Sequence, residues 1–163
     1  TQSDSMTQRP APIATRDIDA DGRTEIPALH QIPGYTSGSG QQYLVSWMKF
    51  DGGRLQVGDT GMMNLGAGYY FGVPDAWNGG VTVEIMNEQT VCYRVWNVAT
   101  SQAGDELFTI GRFSDADWET ARQSGYQKLA AGKGTVYGVL LNPAANGPLQ
   151  LPYEQLVSDF VVL

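Results

Sequence analysis

The chain of 163 residues has only one cysteine, Cys92, and one histidine, His30. A single cysteine cannot form a disulfide within the chain, and a zinc site needs three or four such ligands. A free thiol is typical of a reducing compartment, so we expect synthesis in the cytoplasm. No run of 18 apolar residues and no recognisable signal peptide is present, so no membrane partner is expected.

Charge is also scarce, and most of it is negative. Charged residues make up 17% of the chain, against about 25% in an ordinary soluble domain. Lys and Arg number 10 and Asp and Glu 17, which gives a formal net charge of -7. Nucleic acids and anionic membranes bind basic surfaces, so the sequence predicts that neither is a partner.

Familiar catalytic patterns are missing as well. His30 would have to serve any Ser-His-acid triad, and no serine lies in a glycine-flanked nucleophile turn. Gly134 stands where a phosphate-binding loop needs a hydroxyl residue after its lysine. A glycosidase needs a pair of carboxylates. The sequence offers Glu84, Glu88, Glu106 and Glu154, but nothing in their spacing indicates which two would form such a pair. We therefore expect a protein that is not an enzyme.

Turn residues and short apolar runs are abundant. The 20 glycines separate runs of four to eight residues, and Asp-Gly at 51–52 between two such runs predicts a β-hairpin. The pattern predicts one all-β domain over residues 15–163, built as a β-sandwich or a jelly-roll-like barrel. Residues 157–163 are predicted to form the closing strand.

One α-helix is predicted as an insertion, over about residues 114–131. Ser114 and Asp117 have the spacing of an N-terminal capping box. Trp118, Ala121 and later apolar residues recur at helical spacing, and Gly132 would end the helix.

The first 14 residues are polar, contain two prolines, and show no core-forming pattern. They predict an extended N-terminal arm. An arm of this kind becomes ordered when another chain holds it. We therefore expect protein partners, either in a homo-oligomer or in a larger assembly.

The segment at 17–25, "DIDADGRTE", begins like an EF-hand calcium loop, with alternating aspartates followed by Gly22. The twelfth loop position is Ala28, where an EF-hand has a bidentate glutamate, and prolines replace the flanking helix. The preferred interpretation is a hairpin turn through residues 20–22 without metal. The alternative is weak calcium binding, with the candidate ligands Asp17, Asp19, Asp21 and Glu25.

The segment at 66–80, "GAGYYFGVPDAWNGG", combines aromatic residues with glycines. Exposed aromatic rings stack on the C–H faces of sugars, so the segment is a candidate glycan-binding loop. Its candidate residues are Tyr69, Tyr70, Asp75, Trp77 and Asn78. The preferred interpretation places these rings in the core, with Trp77 at one end of the sandwich.

Two classes of function fit these observations. The first is a structural assembly protein, such as a minor capsid, decoration or spike-base protein of a virus or phage particle, that contacts its neighbours through the N-terminal arm. The alternative is a carbohydrate-binding module or lectin that uses the loop at 66–80.

Overall fold

The computed structural model describes residues 13–35 and 41–163, so most of the predicted arm lies outside the described residues. Two antiparallel five-stranded sheets pack face to face, which confirms the predicted all-β sandwich. The first sheet has the order β1-β2-β3-β4-β10, with β1 (Ile26–His30), β2 (Gln42–Asp51), β3 (Arg54–Asn64), β4 (Tyr69–Gly72) and β10 (Val161–Val162). The second has the order β5-β6-β7-β9-β8, with β5 (Val81–Asn87), β6 (Thr90–Asn97), β7 (Gln102–Ser114), β8 (Gln127–Gly132) and β9 (Thr135–Leu141).

The described residues also form two α-helices, α1 (Asp115–Gln123) and α2 (Tyr153–Asp159). Neither is long and apolar enough to span a membrane.

The hairpin of β2 and β3 turns where the sequence predicts it. Asp51 pairs with Arg54, and the two residues between them, Gly52 and Gly53, have φ angles of 55° and 79°. A two-residue turn with positive φ at both positions matches the right-handed twist of the strands that it joins. The Asp-Gly signal is therefore confirmed.

Helix α1 begins as predicted but ends earlier. The Ser114 side chain accepts a hydrogen bond from the Asp117 amide at 3.1 Å, which confirms the cap. The predicted end near residue 131 is wrong, because the helix stops at Gln123 and Gly125 takes a φ of 101°. That left-handed position lets the chain reverse into β8, and Leu129 enters the core from a strand.

The predicted closing strand over 157–163 is also mostly wrong. Helix α2 occupies the chain up to Asp159, and only Val161 and Val162 pair with β4. Pro152 stands just before the helix, where its missing amide costs nothing, and Leu156 is buried between the sheets.

The inter-sheet core is built around an aromatic cluster. Phe71 of the first sheet packs edge-on against Tyr93 and Phe108 of the second, with ring centroids 5.3 and 5.9 Å apart. Tyr69 and Tyr93 join their hydroxyl groups across the interface at 2.8 Å. Tyr93 donates its own hydrogen to Gln42, so the Tyr69 hydroxyl is the donor to Tyr93.

The outer face of the first sheet is apolar too. Val45, Trp47, Met63 and Tyr70 form a second buried cluster there, which Ile13 completes. The Trp47 indole donates to the Tyr70 hydroxyl at 3.1 Å. The chain around residues 13–25 therefore forms a third layer on this face, and its first described residue lies within the predicted arm.

Gly61 gives a direct test of this outer cluster. A Cβ at this position would overlap the phenol ring of Tyr70, which the bond from Trp47 holds in place. We expect Gly61→Ala to destabilise the fold by about 2 kcal/mol, a typical cost of overpacking, as measured by urea unfolding.

Gly132→Ala is the matched control, because a Cβ there meets nothing within 4 Å. We expect this control to change the unfolding free energy by less than about 0.5 kcal/mol. Equal effects of the two substitutions would contradict the packing of Tyr70 over Gly61.

Candidate functional site

A cleft of about 660 Å³ lies beside the third layer. It is bounded by the loop after Ile13, by β3 and β4, and by α2. Four carboxylates line it: Asp19, Asp59, Asp75 and Asp159.

Local backbone features open this cleft. The pairing of β2 with β3 slips between Ser46 and Met48, which leaves Gly58 and Asp59 as a bulge at its edge. Gly72 presents no side chain, and a Cβ there would lie 3.2 Å from a carboxylate oxygen of Asp159.

Tyr70 joins the cleft to the outer cluster. Burial raises the pKa of its hydroxyl to about 12, and the negative charges of Asp59 and Asp159 act in the same direction. Tyr70 is therefore neutral over the physiological pH range and acts as an acceptor for Trp47.

The acidic loop, residues 17–24, is closed by a single antiparallel bridge between Arg16 and Glu25. Asp17 accepts hydrogen bonds from the amides of Asp21 and Gly22, at 3.0 and 2.9 Å. Gly22 has a φ of 84°, as the predicted turn requires. Asp17, Asp19 and Asp21 each offer one carboxylate oxygen, and these three oxygens lie within 4.8 Å of one another.

Lys49 connects the acidic loop to the first sheet. Its ammonium group pairs with Asp19 and, at 3.2 Å, with Asp21. The hydrogen bond from Lys49 lowers the pKa of the Asp19 carboxyl, and the same contacts raise the pKa of Lys49. The loop therefore lies against β2, just before the hairpin turn.

A chain of side-chain hydrogen bonds crosses the first sheet beneath the cleft. His30 Nε2 lies 2.7 Å from Ser46 Oγ, Ser46 Oγ lies 3.2 Å from Thr60 Oγ1, and Thr60 donates to Asp75 at 3.0 Å. A hydroxyl group has one hydrogen to donate. Thr60 gives its hydrogen to Asp75, so Ser46 donates to Thr60, and His30 must donate to Ser46.

This direction decides what the pair of His30 and Ser46 can do. A base that activates serine must accept the serine hydrogen, whereas here the Nε2 atom carries one itself. Ser46 is also buried. The pair therefore connects strands β1, β2 and β3 to Asp75 and does not have the arrangement of a nucleophile and its base. No sequence pattern reveals it, because the participants lie far apart in the chain.

The candidate glycan-binding residues do not form one surface. Tyr69 and Trp77 are each 1% exposed, and both lie in the inter-sheet core, where the Trp77 indole donates to the Leu149 carbonyl at 3.0 Å. Tyr70 is buried in the outer cluster, whereas Asp75 and Asn78 are exposed. A sugar cannot stack on a ring that is covered on both faces, so the glycan-stacking role is corrected to a packing role.

The candidate metal ligands, by contrast, do come close together. Asp17, Asp19 and Asp21 converge in the acidic loop, and Glu25 stands at its closing bridge. The sequence pattern found this group because its members are close along the chain.

Comparisons with family models, curated proteins and solved structures found no match for this chain.

The partial burial of His30 predicts that the stability of the fold depends on pH. Desolvation lowers the pKa of His30 in the folded state, so below pH about 6.5 the unfolded chain takes up a proton that the folded chain resists. Stability should therefore fall as the pH drops from about 7.5 to about 5.5, which thermal unfolding at a series of pH values measures.

His30→Gln keeps an N–H group that can donate to Ser46 but does not titrate. We expect this variant to be less sensitive to pH in the same window. Identical pH profiles for the variant and the wild type would contradict the role given to His30.

Proposed function

We propose that this chain is a structural assembly protein that works through protein–protein contacts, with a second copy of itself as one partner. A virus or phage particle component remains our prediction for the kind of assembly. The observation that supports the proposal is the apolar tip of the β2–β3 hairpin.

The tip extends the inner face of the first sheet, the face that packs against the second sheet, beyond the part that is buried. Side chains alternate along β2, so Leu44, Met48 and Phe50 share one face. Leu44 and Met48 are buried, but Phe50 is 68% exposed. On β3, Val57 pairs with Met48 and is 53% exposed.

Exposed apolar side chains on a projecting hairpin form a surface that another chain can cover. Burying one phenylalanine contributes about 2 kcal/mol, which corresponds to roughly thirtyfold in a dissociation constant. The low content of charged residues in the chain also suits close contact between copies.

Self-association through the hairpin is tested with the double variant Phe50→Ser, Val57→Thr. Both positions are exposed, so the fold should tolerate the changes. We expect the wild type to form oligomers whose mass, measured by light scattering after size-exclusion chromatography, rises with concentration. The double variant should remain a monomer at concentrations where the wild type associates.

Val98→Thr is the matched control, because Val98 is 73% exposed but lies in the turn after β6 of the other sheet. It should associate as the wild type does. A wild type that stays monomeric at every concentration, or a double variant that associates as strongly as the wild type, would contradict the proposal.

A further inference from the structure

Four dipeptides of the chain have an aspartate or an asparagine directly before a glycine. They are Asp21-Gly22, Asp51-Gly52, Asn78-Gly79 and Asn146-Gly147. In such a pair the glycine nitrogen can attack the side-chain carbonyl carbon of the preceding residue and close a five-membered imide ring, because glycine has no side chain to hinder the approach. Ring closure requires a glycine N–H that is free to lose its proton. It also requires rotation about the Cα–C bond of the first residue, so the fold determines which pair reacts.

The two aspartate pairs do not meet these requirements. The Gly22 amide donates a hydrogen bond to the carboxylate of Asp17 at 2.9 Å, so its proton is engaged. Asp51 pairs with Arg54 at the end of the β2–β3 ladder, and rotation about the Asp51 Cα–C bond would open that turn. An ionised carboxylate also resists nucleophilic attack more strongly than an amide does.

The pair Asn78-Gly79 is exposed but held in place by its neighbours. The Gly80 amide donates to the Trp77 carbonyl at 3.1 Å, and the Gly80 carbonyl accepts from the Trp96 amide at 2.9 Å. The first of these bonds spans the Asn78 Cα–C bond, so rotation there breaks it. Trp77 is buried in the core and Trp96 belongs to β6, so both ends of this turn are fixed.

The pair Asn146-Gly147 meets both requirements. Both residues are exposed and lie outside the helices and strands, in the segment between β9 and α2. In the part of the chain that the structure describes, neither the Asn146 side chain nor the Gly147 amide forms a hydrogen bond. The nearest backbone hydrogen bonds join Ala145 to Asn142 and Gln150 to Gly147. Each lies wholly on one side of the Asn146 Cα–C bond, so rotation about that bond breaks neither.

The space around Gly147 also permits the reaction. A Cβ atom at this position would meet nothing within 4 Å. The imide ring can therefore form without displacing a neighbouring group.

We propose that Asn146 is a site of spontaneous deamidation. The Gly147 nitrogen loses its proton to a base in the solvent and forms a bond to Cγ of Asn146. The bond between Cγ and Nδ2 then breaks, and Nδ2 takes up a proton and leaves as ammonia. Water opens the imide at one of its two carbonyl carbons, so the net reaction consumes one water, releases one ammonia and needs no oxidant or reductant.

The ring can open in two directions, which gives two products. Attack of water at Cγ produces aspartate with the original main chain. Attack at the main-chain carbonyl produces isoaspartate, in which the main chain passes through the former side chain and is longer by a methylene group. Finding both products at residue 146 is therefore the signature of the imide.

The modified segment lies next to the aromatic core. Ala145 and Leu149 pack against the inter-sheet core, and the Leu149 carbonyl accepts a hydrogen bond from the Trp77 indole at 3.0 Å. Either product adds a negative charge to a chain whose formal net charge is -7. Isoaspartate also lengthens the main chain between the two packing contacts. The products are therefore separable from the parent chain by anion exchange.

Incubation of the intact folded chain in mildly alkaline buffer, followed by peptide mapping with mass spectrometry, measures the reaction at each asparagine. We expect Asn146 to react at least about tenfold faster than Asn78, because ring closure at Asn78 also breaks a hydrogen bond. In guanidinium chloride the two pairs should react at similar rates, since the fold no longer distinguishes them. Asn142 is an internal control that should not react, because the nitrogen of Pro143 carries no hydrogen.

Asn146→Gln tests the site directly, because a glutamine side chain would have to close a larger, six-membered ring. We expect this variant to lose most of the ammonia release and most of the new acidic species on anion exchange. Asn78→Gln is the matched control, since Asn78 is also exposed and also precedes a glycine. It should release ammonia as the wild type does.

Three results would overturn the proposal. They are equal rates at Asn146 and Asn78 in the folded chain, aspartate without isoaspartate at residue 146, or an acidic species that forms in Asn146→Gln as fast as in the wild type.

Discussion

The first sheet is apolar on both faces, and the rest of the described structure depends on covering it. One face packs against the second sheet, and the other carries Trp47 and Tyr70. A two-layer sandwich would leave that outer face in water. The chain before β1 supplies the third layer, with Ile13 buried against the sheet and Glu25 bonded to the Ile18 amide.

This layer determines where the charged features lie. Because residues 13–25 cross the outer face, the acidic loop comes to rest against Lys49 on β2. The same layer forms one wall of the cleft lined by Asp59 and Asp159. The apolar hairpin tip begins just beyond Lys49, with Phe50 on the opposite face. Lys49, which holds the acidic loop, and Phe50 of the proposed contact surface are thus neighbours on one hairpin, on opposite faces of the sheet.

Features set by residues close in sequence could be predicted. The turn of the β2–β3 hairpin needs only Gly52 and Gly53 with positive φ, and the cap of α1 needs only Ser114 and an amide three residues later. The acidic loop was found in the same way, because its turn and its convergent carboxylates are formed within nine residues. The short apolar runs separated by turn residues were enough to predict an all-β sandwich or barrel.

Features that depend on residues far apart in the chain could not be predicted from the sequence. Gly125 and Gly132 are equivalent in the sequence as ends of α1, and tertiary packing of Leu129 selects the first. The aromatic residues near Trp77 could have faced solvent or the core, and the burial that decides between them comes from the second sheet. The bonding of His30 depends on residues from three other segments.

The measurement that tests the account most directly is hydrogen exchange of the Ile18 and Glu25 amides in the intact chain. Ile18 donates to Glu25 Oε2, and the Glu25 amide donates to the Arg16 carbonyl at 3.0 Å. If residues 13–25 form a third layer, both amides exchange far more slowly than in an unfolded chain. Exchange of both amides at the unfolded rate would contradict the account.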